Sequence, residues 1–225
     1  MTDAELTELL REQRDYYEAR APEYDDSYTR TGLHDRGEEV NRSWRADVGR
    51  LERMFDEAPI AGDVVELAGG TGYWTDRLVG RCRSLCVIDG SNAMLDLNRE
   101  RLGQHAASID YRVADLFEWQ PDRAWDACVF TFWLSHVPDA RVASFLNTVA
   151  TSLRPGGAVY FVDKAAGDDT APERVERSLE DGRRFTIIDH QRPAVQLVDR
   201  FAAAGLDIEV ETIGDRFCFG HGTKV

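Results

Sequence analysis

Residues 64 to 75 read Val-Val-Glu-Leu-Ala-Gly-Gly-Thr-Gly-Tyr-Trp-Thr, and no other stretch constrains the fold as tightly. Val64 to Leu67 is a short apolar run interrupted only by Glu66, the pattern of a parallel strand buried on both faces. Gly69, Gly70 and Gly72 then make a turn that runs into a helical pattern at Tyr73 to Val79. A strand that ends beside a carboxylate, turns on glycine and restarts as a helix belongs to an α/β fold and forms a ligand cradle. Glycine lets the backbone approach a ligand closely, and the helix N-terminus offers free N–H groups.

Four more elements follow in order. Ser84 to Ile88 is a second strand pattern ending at Asp89-Gly90-Ser91, about twenty residues past the glycine turn, where an acid is placed to accept both hydroxyls of a ribose. Ile109 to Val113 is a third strand, followed by Ala114-Asp115-Leu116-Phe117. Asp126 to Thr131 is a fourth, running into Phe132-Trp133-Leu134-Ser135-His136. Leu153-Arg154-Pro155-Gly156-Gly157 is a turn before a fifth strand, Ala158 to Val162. Each piece has a plainer explanation, since Asp89 and Asp115 are also good capping residues. Their joint occurrence makes the separate plain explanations unattractive.

The set resembles the class I S-adenosylmethionine (SAM) methyltransferases over residues 60 to 165, with Ala68 where that family most often has its first glycine. The resemblance implies a doubly wound, Rossmann-like seven-stranded sheet of order 3-2-1-4-5-7-6 with an N-terminal helical lid. It implies a single domain over 1–225: a lid over 1–58, a SAM-binding core over 60–165, a substrate-side insertion over 164–192, and a closing helix and hairpin over 193–225. SAM is the implied cofactor. Glu66, Ala68, Gly69, Gly70 and Gly72 would surround its methionine end, with Glu66 attracting the ammonium. Asp89 and Gly90 would take the ribose, and Met94, Asp115, Leu116, Phe117 and Phe132 the adenine and its surroundings. For Tyr73-Trp74, core packing and cofactor contact by Trp74 are both open.

The N-terminal segment carries a helical pattern over residues 3 to 20, with Leu6, Leu9, Leu10, Gln13, Tyr17 and Arg20 spaced by three and four. Pro22 interrupts it. Tyr17, Arg20, Ala21 and Tyr24 resemble a lead-in common in small-molecule members of the family. A tyrosine hydroxyl and an arginine there suit the SAM carboxylate, and the alternative is that these aromatics anchor a surface helix. A second helix is expected over Glu38 to Phe55. Lys164 to Arg192 reads as an exposed, partly helical insertion with a short strand at Phe185 to Ile188. Pro193 opens a helix through Ala204, and strand patterns at Leu206 to Thr212 and Arg216 to Gly220 close the chain.

Ligands of doubly wound sheets bind beyond the C-terminal strand ends. His136, just past the fourth strand, is the candidate general base; the alternative is a local hydrogen bond fixing its loop. His190 is a weaker candidate. Tyr28, Trp133 and Arg177 are the candidate substrate contacts, with Lys164, Arg183 and Arg184 as further basic groups on the insertion. The stretches at 133–139 and 179–185 resemble phosphonate O-methyltransferases of the dehydrophos type. Asp189-His190 departs from the basic character expected there, which leaves room for a carboxylic acid, a hydroxyl or an amine. The expected activity is methylation of a small molecule in natural-product biosynthesis, most simply at oxygen. N- or C-methylation and a non-catalytic SAM-binding regulator are the alternatives, and a nicotinamide-dependent dehydrogenase is disfavoured by the missing Gly-x-Gly-x-x-Gly.

Composition narrows the partners. A net charge of −14 is the wrong sign for nucleic acid or an anionic membrane surface. The Asn/Asp-Pro-Pro-Tyr/Phe element of enzymes that methylate nucleobase amines is missing after the fourth strand. The four cysteines, Cys82, Cys86, Cys128 and Cys218, have neither zinc nor disulfide spacing, and Asp163 is isolated, so no metal is expected. The first residues are acidic and polar, unlike a secretory signal, and a cytoplasmic setting is expected.

Overall fold

The computed structural model describes residues 2–166 and 173–225. Five strands, β1 (Asp63–Leu67), β2 (Ser84–Asp89), β3 (Ile109–Val113), β4 (Trp125–Thr131) and β5 (Leu153–Lys164), pair in parallel. A separate antiparallel hairpin, β6 (Arg174–Ser178) and β7 (Arg184–Ile188), follows. The last two strands, β8 (Leu206–Ile213) and β9 (Phe217–Lys224), join the main sheet antiparallel, giving the order β3-β2-β1-β4-β5-β9-β8. With the inserted hairpin set aside, this is the expected 3-2-1-4-5-7-6. The order reverses between β1 and β4, which places a crevice at the ends of those strands.

Alternation along the central strands divides two hydrophobic layers. Val65, Cys86, Cys128, Phe130 and Phe161 face one side, where they meet helices α6 (Asp139–Ser152) and α7 (Ala194–Ala203) through Val142, Phe145 and Phe201. Val64, Val87, Val129 and Val162 face the other, packed under α3 (Glu38–Glu57) and α5 (Asn92–Leu102) through Val48, Leu51, Phe55 and Leu95. The expected lid over 1–58 is therefore too long. A helix whose Leu51 and Phe55 are fully buried against the sheet is a core layer, and truncating either to alanine would cost about 2–5 kcal/mol.

Of the residues expected in the lid, those before α3 are the ones that border the ends of β1, β2 and β4. Helix α1 (Asp3–Arg20) starts with a capping box, in which Thr2 and Glu5 satisfy each other's backbone N–H groups. It is followed by a 3-10 turn at Ala21–Glu23, where Pro22 ends the helix, and by the short helix α2 (Asp26–Thr29). The insertion differs from its expected form. Its described part is a hairpin rather than a helix, and Leu179 and Ile187 are buried against Tyr16 of α1. Residues 167–172 of that insertion lie outside the described residues. The helix expected at Tyr73 to Val79 is a single turn, α4 (Thr75–Leu78), because Trp74 packs edge-on against Phe55 and Gly72 precedes it with φ +85°.

Candidate active site

At the ends of β1, β2 and β4 lies a cavity. Ala68, Gly70, Asp89 and Gly90 form its floor, Met94, Leu116 and Phe117 one wall, and Phe132, Trp133 and His136 another. Leu10, Gln13, Arg14 and Tyr17 of α1 roof it, together with Tyr24.

The glycine turn is locked from below. A Cβ on Gly69 would stand 2.3 Å from Val87 Cγ1, and one on Gly72 would stand 2.8 Å from Asn98 Cγ. Asn98 Nδ2 donates to the Gly69 and Gly70 carbonyls at 3.3 Å each and to Thr75 Oγ1 at 2.8 Å. The turn is also held from above, where the Asp25 carboxylate accepts from Thr71 Oγ1 at 2.6 Å and pairs with Arg101.

Asp89 accepts one backbone N–H at each oxygen, from Gly70 at 2.9 Å and Ser91 at 2.8 Å. Each oxygen keeps a lone pair for an adjacent hydroxyl. Burial pushes its pKa up to about 6 despite these bonds. Asp115 accepts from Phe117 N–H at 3.0 Å and pairs with Arg14 of α1. The Phe117 and Trp133 rings lie 5.4 Å apart.

A second, more open cavity adjoins the first, and the two share Tyr17, Tyr24, Phe132 and His136. Its walls come from distant parts of the chain: Tyr28 and Arg30 after α1, Trp44 of α3, Lys164 at the end of β5, Arg177 and Asp189 of the insertion, and Phe217 of β9. Ala68, Phe132 and Arg30, the non-glycine residues with positive φ (56°, 51° and 60°) among the described residues, all border one cavity or the other. Such backbone strain tends to be retained where a site needs it.

A methyltransferase-domain family profile matches residues 64–157. The solved DhpI–SAM–HEP complex is 36% identical over 95% of this chain and 97% of that one, with a TM-score of 0.79. A DhpI–SAH complex is 35% identical over 95% and 96%, with a TM-score of 0.77. The chain belongs to the class I SAM-dependent methyltransferase family. Among curated relatives, it is 29% identical over 115 residues to a ubiquinone biosynthesis O-methyltransferase of Stutzerimonas stutzeri, covering 50% of this chain and 49% of that protein. It is 27% identical over 146 residues to nodulation protein S of Rhizobium tropici, covering 57% and 60%. The chain thus spans about half the length of the first of these curated relatives.

SAM is the cofactor, and the residues of the first cavity fit it. The Cβ-free edge at Gly70 admits a close ligand, the Asp89 oxygens suit neighbouring ribose hydroxyls, and Met94, Leu116 and Phe117 offer apolar contact to a ring. Several expected contacts sit elsewhere. Glu66 lines neither cavity; it is fully buried under the turn beside Thr75, and burial pushes its pKa up to about 8. Direct attraction of the SAM ammonium by an exposed Glu66 carboxylate is therefore not what this geometry provides. Gly69 and Gly72 act from behind the cavity, through the close packing just described. Trp74 is a core residue whose indole N–H donates to Tyr28 Oη at 3.1 Å. Arg20, expected on the SAM carboxylate, faces the second cavity, with its guanidinium over the Tyr24 ring at 4.9 Å. Trp133, expected on the substrate, lines the first cavity and not the second.

His136, Tyr28 and Arg177 do come together on the second cavity. The His136 ring is buried between two protein partners. Nδ1 lies 2.6 Å from the Ile188 carbonyl, which can only accept, so Nδ1 carries the proton. Nε2 then accepts from the Tyr17 hydroxyl at 2.8 Å. Burial, with Lys164 nearby, lowers the pKa and keeps the ring neutral. With both nitrogens engaged in this arrangement, His136 fits the local hydrogen bond better than the general base. Its loop is firmly set: Gln13 Nε2 donates to the His136 carbonyl at 3.1 Å, Asp163 accepts from Ser135 N–H at 2.8 Å, and buried Arg192 donates to the Leu134 and Val137 carbonyls at 2.8 and 2.6 Å. His190 lines neither of the two cavities.

Leu10, Gln13, Arg14, Ser91 and Thr131 border the first cavity without having been singled out. Gln13 carried a signal, as a polar residue at an apolar-spaced position of α1. Arg30, Trp44 and Phe217 on the second cavity carried none, because each meets the others only through the fold. Among the described residues there is no cluster of three potential metal ligands, and no helix is long and apolar enough to cross a membrane.

Proposed function

We propose that this methyltransferase carries a methyl group from SAM to an oxygen of a small anionic acceptor held in the second cavity. SAM supplies an electrophilic methyl on a sulfonium. The observation that carries the reading is the charge of the adjoining cavity. In a chain of net charge −14, that cavity presents five cationic side chains, Arg20, Arg30, Lys164, Arg177 and Arg216, against two carboxylates, Asp189 and Asp215. Such a local reversal of sign favours an anion and disfavours a protonated amine. DhpI, the relative whose solved complex holds SAM and HEP, and the ubiquinone biosynthesis O-methyltransferase support the same direction.

The chain's own residues supply position rather than proton transfer. An acid oxygen is already ionised at neutral pH and needs no base, so alignment with the methyl–sulfur axis is the main requirement. His136 holds the Tyr17 phenol, and Tyr17, Tyr24 and Phe132 form the shared wall through which the two ligands meet. Tyr28 stacks on Tyr73 at 4.2 Å and fixes the acceptor side of that wall. Placement of the acceptor in a natural-product pathway belongs to this same reading.

The test is product analysis with [methyl-13C]SAM and a panel of small phosphonic acids, carboxylic acids and matching amines. The reading requires the label on ester oxygen; label on nitrogen or carbon alone would refute it. His136→Gln should reduce turnover of acidic acceptors by roughly tenfold or less, since general-base loss would be about 10²–10⁴-fold.

A further inference from the structure

Charge accounting within the second cavity singles out one end of it. Lys164 and Arg177 both pair with Asp189, at 2.7 and 2.6 Å, and Arg216 pairs with Asp47. Arg20 and Arg30 make no ion pair among the described residues. Arg20 is covered by Tyr16 and Tyr24 and lies 3.5 Å from His34 Nε2. Arg30 stands differently. Its guanidinium lies 4.2 Å from the Trp44 ring centroid, and both Arg30 Nε and Trp44 Nε1 are buried without a hydrogen-bond partner.

Asp35, the carboxylate that acts electrostatically on Arg30, spends Oδ1 on Gly37 N–H and Asn41 Nδ2 at 2.9 and 2.7 Å. Arg30 also occupies the left-handed position that ends α2, with φ 60° and ψ 48°, where glycine is the least costly residue. An arginine with unspent donors, held on an indole face at a strained position, is arranged to receive something the protein does not supply.

We propose that Arg30 binds a second oxyanion of the acceptor, remote from the oxygen that is methylated, so that the acceptor is a two-ended acid read at both ends of the cavity. This rests on the anionic-acceptor reading above and adds its length and second charge. Arg30 is separated from the shared wall by three successive contacts, 4.2 Å to Trp44, 4.9 Å from Trp44 to Phe217 and 5.7 Å from Phe217 to Phe132. Arg30 lines the second cavity alone, whereas Phe132 lines both, so a group on Arg30 is set apart from one at the shared wall. His34, also on this cavity, is flanked by Arg20 and Arg30, and an anion there would offset their repulsion.

The test uses the full chain saturated with S-adenosylhomocysteine and titrated calorimetrically with butyrate, succinate, glutarate and adipate. The wild type should bind at least one diacid about tenfold or more tighter than butyrate. Arg30→Gln should abolish that preference, a loss of about 10- to 100-fold on the diacid, while its affinity for S-adenosylhomocysteine is unchanged. Arg30→Lys, which keeps the charge without the planar stack, should retain part of the preference and guards against a folding artefact in the glutamine variant. A wild type that binds butyrate as tightly as every diacid, or an Arg30→Gln variant that keeps the preference, overturns the inference and leaves the anionic-acceptor reading standing. A wild type that binds none of the four acids also overturns the inference, while the anionic-acceptor reading is decided by the labelling experiment above.

Discussion

The two adjoining cavities differ in how they are built. The first stands on consecutive β–turn–α units, and its floor is backbone: the glycine turn and the loops at the ends of β2, β3 and β4. The second is assembled from side chains of α1, the α2 region, α3, the inserted hairpin and β9, segments far apart in the chain. Its charged groups are mostly long and cationic, whereas those of the first are Asp89 and Asp115, with Arg14 paired to Asp115. A rigid floor suits a cofactor used at every turnover, and an assembly of long side chains can be retuned to a new acceptor without disturbing the sheet.

The largest expected effect tests that difference in rigidity. In Gly72→Ala, the new Cβ meets Asn98 Cγ at 2.8 Å and its backbone at 3.1 Å, at φ +85°. The cost should be roughly 2–5 kcal/mol in urea unfolding, with loss of SAM binding. Gly32→Ala, between Arg30 and His34 of the second cavity, has φ +52° but meets the ends of flexible side chains, Glu180 Oε1 at 2.7 Å and Asp26 Oδ2 at 3.5 Å. It should cost about 1 kcal/mol. Equal losses would erase the proposed contrast.

Next in size is the buried acid under the cofactor floor. Glu66 has its pKa raised from the usual 4.5 to about 8 by burial, so the folded state favours its protonated form. The stability from that form is fully present below pH 4.5 and is lost as pH rises through about 8. Wild type should therefore lose stability relative to Glu66→Gln between pH 5 and 9, by up to a few kcal/mol. Parallel stability curves for the two proteins would show Glu66 to be ionised throughout.

The smallest effect is expected at Arg177. Its partner Asp189 is also held by Lys164, so Arg177→Ala should raise KM for an acidic acceptor only about three- to tenfold and leave SAM affinity unchanged. A loss above a hundredfold in kcat/KM would make Arg177 the principal anion contact in place of Arg30.

Legibility in the sequence followed the same division. Local patterns exposed β1 to β5, the glycine turn and the acid at Asp89, because each lies within a few residues of the feature that identifies it. Glu66 was visible as a charge but not as a sealed one, since its burial depends on how closely Gly69 packs on Val87. The insertion shows no strand pattern over Arg174 to Ser178 because those residues are mostly polar; they are paired by β7, and α1 covers the hairpin through Tyr16. The role of His136 turned on Tyr17 and Ile188, residues 119 and 52 positions away, and no local pattern could reveal them.

The division into a cofactor cavity and an acceptor cavity is tested most directly by calorimetric titration of SAM into wild type, Asp89→Ala and Arg30→Gln under one set of conditions. Loss of the Asp89 carboxylate should weaken SAM by roughly 1.5–3 kcal/mol, or about 10- to 100-fold, because two hydroxyls lose a charged acceptor. Arg30→Gln should bind SAM as wild type does. Unchanged affinity in Asp89→Ala, or an equal loss in Arg30→Gln, would contradict the assignment of SAM to the first cavity.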